Sequence, residues 1–161
     1  MASIKEALQK WLADYPAIFV AQEIPNGIVL REITTSKERS ILYPQVTEWR
    51  RREHPEGLGD YMNLVFEEGH ELALCHAGFA FSPSYLSTKS LNLLPEVVCF
   101  QDFYRLLGHL EHLYQNLSQR EEAVKALTSC LAILEGARLV KFEVSEEERK
   151  LEEILTWLET H

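Results

Sequence analysis

DFYRLLGHLEHLYQNLSQREEAVKALTSCLAIL, residues 102–134, is the stretch on which the reading of the fold turns. Phe103, Leu106, Leu107, Leu110, Leu113, Tyr114 and Leu117 recur at intervals of three and four, which lays them along one face of an α-helix. Asp102 supplies the side-chain oxygen that caps the free N–H groups of a first turn. Ser118 and Glu121 then stand at capping-box spacing, each able to satisfy a backbone N–H of the other's turn. They open a second helix with Val124, Leu127, Leu131 and Leu134 inward. Downstream, Ser145 and Glu148 repeat the box, and Leu151, Ile154, Leu155 and Leu158 follow at helical intervals. Gly136 and VKFEV (140–144) punctuate the last two, so the chain predicts three helices in series.

Working back toward the N-terminus, Ser3 and Glu6 make another capping box, followed by Ile4, Ala7, Leu8, Trp11, Leu12 and Tyr15 on one face until Pro16 ends the pattern. Residues 17–24 and 28–33 are rich in β-branched side chains and flank Pro25-Asn26-Gly27, which predicts a β-hairpin. Residues 60–67 and 70–81 flank Glu68-Gly69 and predict a second hairpin, with Met62, Leu64 and Phe66 on one face, and Leu72 and Leu74 on one face with His76. A fifth short strand fits 96–100. Between the hairpins the pattern loosens into a crossover, with a helical turn around 36–43 and a short helix around 46–53. The expected fold is α+β: an N-terminal helix, two β-hairpins forming a mainly antiparallel sheet of four or five strands, then three C-terminal amphipathic helices packing on it. All of it belongs to one domain over 1–161, with 1–100 the helix-plus-sheet portion and 101–161 the helical portion.

Composition sets the function classes. With 46% hydrophobic and 25% charged residues in 161, the chain matches an ordinary globular domain. Its three cysteines, Cys75, Cys99 and Cys130, are widely spaced in apolar stretches without a CxxC pair, as expected of reduced core thiols in a cytoplasmic protein. No apolar run is long enough to cross a membrane, so no membrane partner is expected. The net charge of −9 lies mostly in the second half: residues 118–161 hold six basic and ten acidic groups, against eight and nine in 1–60. A nucleic-acid binder needs a basic face to displace counterions from phosphate, and this balance argues against one. The basic exception, Arg50-Arg51-Arg52 beside Trp49, is a candidate anion-binding cluster.

The remaining candidates are sparse. His109 and His112 share a helix flank with Arg105, whose cation disfavours a metal beside them, so neither metal nor cofactor is expected. Cys75 and His76 are neighbours in a predicted strand and point to opposite faces. No nucleophile elbow, P-loop or dinucleotide fingerprint occurs. Gly78 marks a bulge or a close backbone approach. Leu107, Leu110, Tyr114 and Ala123 follow the order of one tetratricopeptide helix pair, but Glu111, Cys130 and Glu135 depart from that pattern, and the similarity reads as that of any helical hairpin. The segment 81–95 has a single charge, Lys89, and no periodicity. Its Phe81, Tyr85, Leu86, Leu91 and Leu93 either pack on the core or meet a partner. The expected function is a non-enzymatic protein-binding module (an adaptor, regulatory subunit or assembly chaperone) that takes a protein or peptide segment near 81–95. The alternative is a small enzyme or ligand-binding domain with a pocket around His76 and Cys99. A homodimer through the C-terminal helix, with Trp157 at its edge, is compatible with either.

Overall fold

The computed structural model describes residues 3–53, 56–83 and 97–161. Helix α1 (Ile4–Asp14) starts as its capping box requires, the Ser3 hydroxyl accepting from the Glu6 N–H at 3.2 Å. It buries Ile4, Leu8 and Trp11 and leads into β1 (Phe19–Ile24), β2 (Gly27–Glu32) and β3 (Glu38–Leu42), an antiparallel sheet of three strands. A second antiparallel sheet follows in the order β4 (Val46–Glu53), β5 (Asp60–Phe66), β6 (Glu71–Cys75), β7 (Gly78–Phe81) and β8 (Val98–Cys99). Helices α2 (Phe100–Leu113), α3 (Arg120–Leu139) and α4 (Ser145–Thr160) complete the chain. One hydrophobic cluster runs from α1 through both sheets to α4. The fold is therefore the expected α+β arrangement, with eight strands in two sheets among the described residues.

Several expectations are corrected. Residues 36–43 and 46–53 form no helix; they contain strands β3 and β4, linked by a 3-10 turn at Tyr43–Gln45. Residues 70–81 are two strands, since Cys75 pairs directly with Gly78 around a two-residue turn. Gly78 takes a φ of +103°, and a Cβ there would overlap the Glu32 carboxylate, so the glycine marks a close approach within a hairpin instead of a bulge. His76 sits in that turn and is exposed, away from the buried Leu72 and Leu74.

The helix starts also shift. Cys99 is the N-cap of α2, and Asp102 closes the capping box by accepting from the Cys99 N–H at 2.9 Å. A 3-10 turn, Leu117–Gln119, precedes α3, with Asn116 accepting from the Ser118 N–H. Val144 precedes α4, and Ser145 bonds back to Glu143. Gly136 does not end α3; it lies inside it, where a Cβ would collide with the backbone at Ser82 and Pro83.

Two polar side chains tie the three-stranded sheet to the rest. Glu32, 1% exposed, accepts from the Phe79 N–H of β7 at 2.6 Å and from the Thr35 hydroxyl. Arg39 of β3 lies over the Phe66 ring and donates through Nε to the Val140 carbonyl at 2.8 Å, at the C-terminus of α3 where the helix dipole favours a cation.

Candidate functional site

The sequence-predicted site residues do not converge. Arg50, Arg51 and Arg52 alternate along β4, so Arg51 faces α1 and its neighbours face away. Arg51 pairs with Asp14 at 2.8 Å and Asp60 at 2.6 Å and lies over the Tyr15 ring. Asp60 is the anchor of α1: its carbonyl accepts from the Trp11 indole N–H at 3.1 Å, and its N–H donates to the Tyr15 hydroxyl at 2.9 Å. Arg51 thus has a structural account, and the groove of Ala7, Lys10, Asp14, Trp49, Arg50, Arg51 and Met62 beside it, about 570 Å³, is open. Phe81 is fully buried against Phe100 and Phe142. Tyr85, Leu86, Leu91 and Leu93 lie outside the described residues.

The histidine–cysteine pocket gathers no support either. His76 is exposed in its turn while Cys99 is buried in the capping box of α2, its thiol pushed up to about 11 by burial. Burial likewise raises Cys75 to about 12 and Cys130 to about 11, far from the reactive thiolate range. His109 and His112 are exposed, and no three His, Cys, Asp or Glu among the described residues come together to hold a metal ion. No described helix is long and apolar enough to cross a membrane.

A different surface emerges on α3. The expected inward set was Val124, Leu127, Leu131 and Leu134, but only Leu127 and Leu134 point into the core. The other inward positions are Ala123, Ala126, Cys130, Ile133, Gly136 and Ala137, mostly small, so that α3 lies close to its neighbours. Val124 and Leu131 are left 44% and 43% exposed, and Leu117 just before the helix 64%. Val124 and Leu131 stand seven residues apart on α3 and form one row. At 100° per residue they lie about 40–80° from the buried Leu127 and Leu134, so the apolar face of α3 extends past what the chain's described elements cover.

The row lies toward the side of α3 that meets α4. Arg120 reaches the Leu158 carbonyl of α4 and Arg138 reaches Glu148 of α4, so the arginines mark the side of α3 that faces α4. Arg120 and Arg138 are five helical turns apart on one line, and Val124 and Leu131 lie within about 20–40° of it. On α4, Leu155 lies two turns beyond Glu148 on the same side and is 38% exposed, although its spacing predicted an inward position. Helix α2 covers the other flank, through Tyr114 against Trp157 and Glu111 with Lys150. Glu121 and Glu135 of α3 and Glu152 and Glu159 of α4 are exposed beside the apolar row. Both readings of the sequence missed this site because periodicity alone assigned the larger aliphatic residues to the core. The available signal was a second apolar set, Ala123, Ala126, Cys130, Ile133 and Ala137, at equally good helical spacing.

Comparison of the chain with protein-family models, with curated proteins and with solved structures found no match.

Proposed function

We propose that this chain is a non-enzymatic protein-binding module of a larger complex, acting as adaptor, regulatory subunit or assembly chaperone in a reducing, cytoplasmic setting. The observation that carries the reading is the outward apolar row of Val124 and Leu131 with Leu155 beside it, aliphatic surface that the chain's own described elements leave open. Burying such a row removes apolar area from water at about 25 cal/mol per Å², a gain the isolated chain forgoes. The three buried free cysteines support the reducing compartment. The pocket reading around His76 and Cys99 has no comparable support, since those two residues occupy a surface turn and a helix cap.

A photo-cross-linking amino acid at position 131, with one at the exposed Arg31 of β2 as control, tests the reading in cells of the source organism. The expected outcome is a discrete protein adduct at 131 that is absent at 31 and lost when Val124→Asp is added. Identical patterns at the two positions would refute it.

A further inference from the structure

We infer that the exposed aliphatic surface shared by α3 and α4 is a seat for one amphipathic α-helix with basic flanks, contributed by a different protein. The inference rests on the binding reading above and assigns the chemistry of its partner. Val124 and Leu131 on α3 and Leu155 on α4 are all exposed aliphatic side chains. Next to them around the same two helices, Leu127, Leu134 and Leu151 are buried. On α3, Val124 and Leu131 alternate with the buried Leu127 and Leu134 at spacings of three and four, the a and d positions of a heptad seam whose d side the chain's own core already holds. Helices packed on such a seam place their own aliphatic knobs between the side chains of the row. An extended strand offers side chains at a period of two and fits a row spaced by seven poorly.

Charge decides between a foreign helix and a second copy. Glu121 and Glu135 stand on α3 and Glu152 and Glu159 on α4, all exposed. The two arginines of the α3 row, Arg120 and Arg138, are engaged with α4 at the Leu158 carbonyl and Glu148. Lys125 and Arg149 are exposed on these helices as well, so the surface is mixed in sign with carboxylates in excess. A second copy would set these carboxylates against its own, on a chain whose net charge is already −9. A helix with lysines or arginines flanking its leucines meets four acidic groups instead, which steers its approach and specifies its register.

The test uses the full chain and three synthetic 18-residue peptides read by fluorescence anisotropy. One has leucines at i, i+3, i+4 and i+7 with lysine elsewhere, the second replaces every lysine with glutamate, and the third scrambles the leucines of the first. The expected result is saturable binding of the first peptide only, weakened by salt and reduced at least about tenfold by Val124→Ser with Leu131→Ser. Charge reversal by Glu121→Lys with Glu135→Lys should weaken it by a similar factor. Equal binding of the lysine and scrambled peptides, or binding unchanged by the serine pair, would overturn the inference. So would concentration-dependent dimerisation that the serine pair abolishes, which would name a second copy as the occupant. A cross-link from position 131 to a partner segment that is neither helical nor basic would overturn the chemistry while leaving the binding function in place.

Discussion

Glu32 is accommodated inside the core by two donors that meet it there, the Phe79 N–H and the Thr35 hydroxyl, with Lys37 nearby. Burial raises its pKa above the ordinary 4.5, more than these partners lower it. The folded protein therefore binds the proton more tightly than the unfolded chain. The stability linked to this group is fully present below the ordinary carboxylate range and is lost as pH rises through the folded value. The substitution Glu32→Gln would keep an acceptor for Phe79 and a donor toward Thr35 without the charge. Urea unfolding of Glu32→Gln should then show a stability difference from wild type that is constant at low pH and shifts in the variant's favour from about pH 4.5 upward; a shift in the opposite direction would contradict this account. Glu32→Ala leaves the Phe79 N–H without its acceptor and should cost about 2–4 kcal/mol. The three thiols make a second case at this scale. Buried and raised to about 11–12, they should all resist a maleimide at pH 7.5 in the native protein and all react in denaturant.

Among the elements, α1 and α3 show how far spacing carries. The α1 cap, its buried face and its stop at Pro16 follow from the sequence, and so do both predicted hairpin turns. Strands β3 and β4 did not declare themselves, because each breaks the alternation that marks a strand. In β3 a buried position is Arg39, which reaches Val140 and Phe66 only after α3 has docked. In β4, an edge strand, charges occupy both faces, and such charges protect an open edge from further pairing. The different roles of its arginines are measurable. Arg51→Ala removes the tie to Asp14 and Asp60 and should cost about 1 kcal/mol, while Arg50→Ala should cost less than about 0.5 kcal/mol. In α3 the competing apolar face carries Gly136, whose approach to the backbone at Ser82 leaves no room for a Cβ, together with small alanine and cysteine side chains. Leu134→Ala should accordingly cost about 2–5 kcal/mol, whereas Leu131→Ser, of an outward residue, should change stability by no more than about 0.5 kcal/mol in denaturant titration. Equal losses at the two positions would mean that the faces of α3 are misassigned.

For the whole molecule, acidic charge and aliphatic exposure coincide on the α3–α4 side, while the arginine cluster is divided between the two faces of β4 and partly neutralised. The fold class was legible in the sequence because each end of the chain carries its own local signals. The binding surface was not, because it depends on which of two apolar faces the bundle selects, and that choice is made by contacts between α3 and residues remote in sequence. The most direct test of the interface is chemical protection in its native setting. With the natural thiols buried, a cysteine introduced by Leu131→Cys reports on that face alone, and one introduced by Arg31→Cys serves as the control. The account predicts that maleimide labels position 131 readily in the purified chain and at least about tenfold more slowly in freshly lysed source cells, while position 31 is labelled alike in both. Equal labelling of position 131 in the purified chain and the lysate would contradict it.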